Sequence, residues 1–238
     1  MNLYERELRL RSSDVDMHRR LRTSVLFSLV QEAAVAHTEA LGMGREKTLD
    51  RGVLWVVTLQ AAEIARMPEY DEKVVLRSWP GKTMHVLFPR YCALDTASGE
   101  PLLRTSALWT LLDAKTRRMV FPERYGIEID GTETGEEIDL PAAPRAMPCP
   151  EERRFTVPYS YVDLNGHMNN ARYFDLAEDC LPPAAEGRPL CALRTEFSRE
   201  VRFGEEIDLR WGRDGDRYYF TGSAGDRSMF RMSLTYGG

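Results

Sequence analysis

Lysine is nearly missing from this chain of 238 residues. Lys47, Lys73, Lys82 and Lys115 are the full set, so arginine supplies 28 of the 32 basic residues. Arginine suits fixed contacts to carboxylate and phosphate, although a GC-rich coding bias gives the same skew. Cysteine is equally sparse. Cys92, Cys149, Cys180 and Cys191 have no C-x-x-C spacing, which argues against a zinc site or a disulfide framework and for reduced thiols in a cytoplasm. No apolar run reaches the roughly 20 residues of a membrane-spanning helix. The charged opening, Met1 to Glu7, lacks the apolar centre of a signal peptide. A formal charge of −5 disfavours a general nucleic-acid binder. What remains, 43% hydrophobic and 29% charged, suits a globular protein with room for two small domains.

The polar stretch 130–137 is followed by Pro141, Pro144, Pro148 and Pro150. Proline removes backbone donors and glycine loosens the chain, so a linker is expected at 141–150, between units 1–140 and 151–238. Both units read alike. In the first, a strand at Glu7–Arg11 precedes an apolar helix from about Ser24 to Leu41, then strands at Val53–Ile64, Lys73–Trp79, Met84–Leu94 and Leu102–Leu112. In the second, Phe155, Val157 and Tyr159 alternate as a strand does. A helix from about Asn170 to Leu181 follows, with strands at Leu193–Phe203, Ile207–Trp211, Tyr218–Thr221 and Phe230–Tyr236.

The repeat extends to single residues. Asp14-Val15-Asp16-Met17-His18 aligns with Asp163-Leu164-Asn165-Gly166-His167 at an offset of 149. Leu26, Leu29, Val30, Ala33 and Ala34 align with Tyr173, Leu176, Ala177, Cys180 and Leu181 at an offset of 147, both sets following the i, i+3, i+4, i+7, i+8 spacing of one buried helical face. Between Val25 and Ala36 only Glu32 is fully charged, so this helix suits burial against a sheet. The predicted class is α+β: a tandem hot-dog, each half a curved antiparallel sheet wrapped around one helix.

Chemistry concentrates between Tyr161 and Tyr173. Asp163, Asn165, His167, Asn169 and Asn170 put an acid, amides and an imidazole just ahead of a helix. Histidine exchanges protons near neutrality, and N–H groups at a helix start suit a developing oxyanion. The bland readings are a turn residue for Asp163 and N-caps for Asn169 or Asn170.

D-x-N-x-H-x-N-N-x-x-Y resembles the active-site motif of the acyl-[acyl carrier protein] thioesterases of fatty acid biosynthesis. Arg194-Thr195-Glu196-Phe197-Ser198-Arg199-Glu200-Val201 is similar to a second segment of that family. The resemblance implies catalytic roles for Asp163, Asn165, His167 and Glu200, with no cofactor and no metal. It implies hydrolysis of an acyl thioester carried by acyl carrier protein, by a monomer or homodimer in the cytoplasm. It also implies that the first half shapes the acyl pocket, around Leu26, Val30, Trp55 and Val57. Valine at 201, where the family often has cysteine, excludes a cysteine nucleophile there. Water activated by Glu200 and direct attack by Asp163 both stay open. The first-half copy, with Asp16 for the asparagine and Arg19-Arg20 for the Asn-Asn, is expected to be inactive. Arg172, with Arg153 and Arg154, is the expected docking patch for an acidic carrier, and Arg19, Arg20 and Arg22 form the other arginine group. An acyl-CoA thioesterase and a non-catalytic acyl-binding protein are the alternatives.

Overall fold

A computed structural model describes residues 3–182 and 186–237. The first half runs β1 (Tyr4–Arg9), α1 (Thr23–Ala40), β2 (Val53–Ile64), β3 (Lys73–Pro80), β4 (Phe88–Thr96) and β5 (Pro101–Asp113). The second runs β6 (Glu151–Thr156), α2 (Arg172–Glu178), β7 (Leu190–Phe197), β8 (Glu206–Asp214), β9 (Arg217–Ala224) and β10 (Arg227–Tyr236). Residues 127–150 between them carry no helix or strand. All ten strands form one antiparallel sheet in the order β1-β3-β4-β5-β2-β7-β10-β9-β8-β6.

That order reads the same from either edge. The halves meet where β2 pairs β7, from Leu59 opposite Glu196 to Glu63 opposite Ala192. The helices also meet: Phe27 of α1 stacks on Phe174 of α2, ring centroids 4.4 Å apart. Those two phenylalanines lie 147 positions apart, so each touches its own counterpart. Such self-contact is the signature of a two-fold axis in an isologous interface, here built within one chain. The main core gathers around the helices, with Leu26, Phe27, Val30, Ala33, Phe174, Leu176 and Ala177 packed among strand residues of both halves.

Several element ends differ from the sequence reading, each for a local reason. Helix α2 stops at Glu178, short of the expected Leu181. Pro182 has no N–H for the Glu178 carbonyl, and its ring would collide there; that carbonyl takes the Leu181 N–H in a tighter turn instead. The expected strand from Met84 starts at Phe88, because Met84 and Leu87 exchange both backbone bonds in a tight turn with His85 at φ +59°. The strand expected at Leu193–Phe203 spans Leu190–Phe197, and Ser198 and Arg199 both give their N–H to Met229 O in the loop that follows. The first strand occupies Tyr4–Arg9 rather than Glu7–Arg11. Tyr159 belongs to a 3-10 turn (Tyr159–Tyr161) beyond β6 rather than to a strand.

One polar contact joins the helices beside their apolar packing. Thr23 at the start of α1 donates its hydroxyl to Glu178 Oε1 at the end of α2, at 2.6 Å. Burial, reinforced by Asp175 and Asp16, pushes the Glu178 carboxyl up from the usual 4.5 to about 7. The folded state thus favours the protonated acid. Its contribution to stability is complete below pH 4.5 and is lost as pH rises through about 7. A shift of this size corresponds to about 3 kcal/mol. Urea unfolding at pH 5 and pH 8 should therefore show a smaller alkaline loss in Glu178→Gln than in the wild type. Equal losses would remove Glu178 as the source.

Candidate active site

The loop between β6 and α2 is a tight reversal built by its own polar groups. Asp163 N–H bonds His167 O at 3.0 Å, Gly166 N–H bonds Asp163 O at 3.0 Å, and Asn165 N–H bonds the Asp163 carboxylate at 2.8 Å. The turn needs a left-handed residue, and Gly166 supplies it at φ +80°. Met168 N–H then bonds Val201 O at 2.7 Å, which clamps this loop to the one after β7 and brings Glu200 alongside. Val201 is fully buried.

His167 ends up between two carboxylates. Its Nδ1 lies 4.0 Å from Asp163 Oδ1 and its Nε2 lies 3.9 Å from Glu200 Oε1, with all three side chains largely buried. These separations exceed a direct hydrogen bond, and a water can touch both Nε2 and Oε1. Asp163 is held at both oxygens, by Asn165 N–H and by Asn169 Nδ2 at 3.4 Å. Two of the backbone donors expected to serve an oxyanion at the start of α2 are already engaged. The N–H groups of Ala171 and Arg172 are taken by the side chain and carbonyl of Asn169, and Asn169 N–H by Tyr161 O. The side chain of Asn165 is exposed to solvent.

A fifth residue joins the group from the other half. Arg117 sits in the turn after β5 at φ +57° and donates Nη1 to Glu200 Oε1 at 2.8 Å. Nothing local marked it in the sequence. Its turn is shaped by Asp113, whose carboxylate accepts from Lys115 N–H, Thr116 N–H and Thr116 Oγ1.

Asn165 and Leu164 also line a cavity of about 320 Å³ that runs into the first half. Its walls come from α1 (Gln31, Ala34, Val35, Thr38) and from the sheet (Leu54, Trp55, Phe88, Arg90, Trp109). Of the residues expected around an acyl chain, Trp55 lines this cavity. Leu26, Val30 and Val57 are buried and do not line it; for the two helix residues the reason is that α1 turns its 31/34/35/38 face to the cavity and its 26/30/33 face to the core. Arg172 lies on the exterior, bonded to Asp175 at 2.8 Å and set over the Tyr161 ring. Arg154 is likewise exposed, near Asp208 and Glu206.

The first-half loop repeats four hydrogen bonds of the second. Asp16 N–H bonds Arg20 O, Arg19 N–H bonds Asp16 O, His18 N–H bonds the Asp16 carboxylate and Leu21 N–H bonds Pro68 O. The donors and the acceptors within the loop match their second-half counterparts at 147, as does the pair Val15–Leu21 with Val162–Met168, while Pro68 matches Val201 at 133. The alignment at 149 is therefore two residues out of register. Arg19, at φ +67°, hides the correspondence by standing where Gly166 stands. In space Asp16 replaces Asp163, His18 replaces Asn165, Arg20 replaces His167 and Met67 replaces Glu200. Arg20 is half-buried and bonds Gly187 O and Arg188 O, so it is bound into the fold rather than presented for docking. The matching cavity, about 400 Å³, is lined by Met17, Glu178, Asp179 and Leu181, the counterparts of Leu164, Gln31, Glu32 and Ala34 in the first cavity.

Among the described residues no helix is long and apolar enough to cross a membrane, and no cluster of His, Cys, Asp and Glu could hold a metal ion. Comparison with solved structures places the fold among double hot-dogs. An acyl-ACP thioesterase from Bacteroides thetaiotaomicron superposes with a TM-score of 0.81 at 19% identity, over 99% of this chain and 98% of that one. The 12:0-ACP thioesterase from Umbellularia californica gives 0.81 at 19%, over 100% and 98%. Among curated proteins, the Cuphea viscosissima acyl-[acyl-carrier-protein] hydrolase FATB3, chloroplastic, is 24% identical over 97% of this chain and 58% of its own length. The Cinnamomum camphora dodecanoyl-[acyl-carrier-protein] hydrolase, chloroplastic, is 25% identical over 83% and 56%. The chain thus spans a little over half the length of the curated relatives it matches. The profile of the acyl-ACP thioesterase N-terminal domain matches residues 1–140, and that of the C-terminal domain matches residues 146–226. The chain belongs to the acyl-ACP thioesterase family.

Proposed function

We propose that the protein hydrolyses the thioester between a fatty acyl chain and acyl carrier protein, with Asp163, Asn165, His167 and Glu200 as its working residues. The observation that carries this reading is the double role of Asn165. It belongs to the loop of His167 and also lines the mouth of a long, mostly apolar cavity. A chain lying in that cavity leaves its carbonyl beside the imidazole.

In this reading a water between Glu200 and His167 attacks the carbonyl carbon, and its proton passes to that pair. The Asn165 amide donates to the oxygen that becomes negative. The tetrahedral intermediate collapses, the carbon–sulfur bond breaks, and the thiolate of the carrier's pantetheine arm takes the proton. Asp163, bound through both oxygens, suits orientation of the imidazole rather than attack. Arg117 fixes the Glu200 carboxylate against His167. The first half supplies the acyl cavity and the second the reacting groups. Arg172 and Arg154, exposed and paired with Asp175 and with Asp208 and Glu206, together with Arg153 meet the acidic carrier by exchanging those partners for its carboxylates.

A panel of acyl-carrier-protein and acyl-CoA thioesters, with the released acids analysed, tests the activity. Carrier thioesters should be the better substrates, and no released acid from either would leave only acyl binding. Glu200→Ala and His167→Ala should each lower kcat by roughly 10²–10⁴-fold with the circular dichroism unchanged. A folded Glu200→Ala enzyme with near-normal turnover would remove Glu200 from the mechanism. Arg117→Ala should cost roughly 10–100-fold in kcat, the range expected for one charge-assisted hydrogen bond, with Arg117→Lys recovering part of it. If Arg117→Lys is as impaired as Arg117→Ala, the forked guanidinium rather than its charge is what Glu200 requires.

A further inference from the structure

The cavity wall holds a buried cation without a counter-charge and a buried donor without an acceptor. Arg90 on β4 is only 5% exposed. It donates Nη1 to His37 Nδ1 at 2.9 Å and Nη2 to Thr38 Oγ1 at 2.9 Å, both on α1. Arginine carries five donors and no acceptor, and both of these partners are neutral side chains without a formal negative charge. No carboxylate lies within ion-pair distance of Arg90 among the described residues. Burial lowers its pKa to about 10, which leaves it cationic at neutral pH.

Arginines elsewhere in the same sheet are neutralised. Arg77 and Arg104 share Asp95 and Glu136, with Arg77 at 2.5 Å and Arg104 at 2.7 Å from Asp95. An interior cation without a counter-charge costs several kcal/mol, and such groups persist where a ligand completes them.

The second donor is Trp109 on β5, whose indole Nε1 is buried with no hydrogen-bond partner. The register places it beside Arg90. Arg90 pairs with Ala107 and Phe88 with Trp109, so Arg90 and Trp109 share one face as diagonal neighbours, within reach of long side chains. Both line the cavity that opens at Asn165. The carboxylates lining that cavity, Glu32 and Glu39, are exposed at its solvent side.

We propose that this cavity selects acyl chains carrying an oxygen acceptor (a hydroxyl, an oxo group or a terminal carboxylate), bound by the Arg90 guanidinium and the Trp109 indole N–H. The inference rests on the cavity being the acyl site of the proposed hydrolase, and it narrows the substrate from any fatty acyl chain to an oxygenated one. An unsubstituted chain would leave the indole N–H unpaired and the guanidinium without a negative or partly negative oxygen beside it. An oxygen at the right depth satisfies them, and discrimination of this kind is large because the penalty falls on the wrong ligand.

The test compares dodecanoyl, hydroxydodecanoyl and ω-carboxydodecanoyl thioesters of pantetheine with the wild type, Arg90→Met and Trp109→Phe. The wild type should favour an oxygenated chain by tenfold or more in kcat/KM, and each substitution should reduce that ratio toward one. Trp109→Phe keeps the ring and removes only the donor, so it serves if Arg90→Met does not fold. A carboxylated chain as the better substrate identifies the guanidinium as the main partner, and a hydroxylated one the indole; either supports the proposal. Preference for the plain chain, or a ratio that neither substitution changes, overturns it. If no thioester is hydrolysed, the catalytic reading has failed separately. Calorimetry with free hydroxydodecanoic and dodecanoic acids then decides recognition: tighter binding of the hydroxy acid, lost in Trp109→Phe, supports it, and equal binding overturns it.

Discussion

The contact on which the structure depends is the seam between its halves, with β2 paired to β7 in the sheet and Phe27 stacked on Phe174 above it. The seam merges two five-stranded sheets into one and gives each helix the other as a partner. It also brings together the parts of the proposed site. The cavity wall is α1 of the first half, its mouth is the loop of the second, and Glu200 is held by a guanidinium from the first. Neither half alone contains the whole of the proposed site.

The two sites related by the seam have separated in chemistry while keeping one backbone. The bonds within the Asp16 loop and the Asp163 loop are the same to within about 0.2 Å. Substitution at a few positions changes the outcome. Where one loop holds an imidazole against a carboxylate, the other has an arginine tied to two carbonyls and a methionine. Acidic Glu178 also takes the place of neutral Gln31.

Much of this was legible in the sequence because it is written in local periodicity. The face Leu26-Leu29-Val30-Ala33-Ala34 reports a buried helix, strand β2 begins and ends where its apolar run does, and the motif from Asp163 to His167 sits in one turn. Long-range features were not legible. Arg117 reaches Glu200 across 83 positions, and no spacing rule links them. The cavity face of α1 carries Gln31 and Thr38, which look like surface residues until the fold bends β4 and β5 over them. The shift between 149 and 147 shows how letters mislead: Asp14 and His18 spell the motif, yet the backbone that repeats it starts at Asp16. A left-handed arginine at position 19 conceals a turn that glycine would have announced.

A pair of identical subunits would carry every substitution twice. In this tandem chain position 31 is glutamine while its counterpart 178 is glutamate, and position 167 is histidine while its counterpart 20 is arginine. Duplication within one gene frees each half to mutate alone. A change that enlarges, charges or blocks one cavity therefore has no mirror image, and selection can specialise one cavity while the other half keeps the shared seam intact.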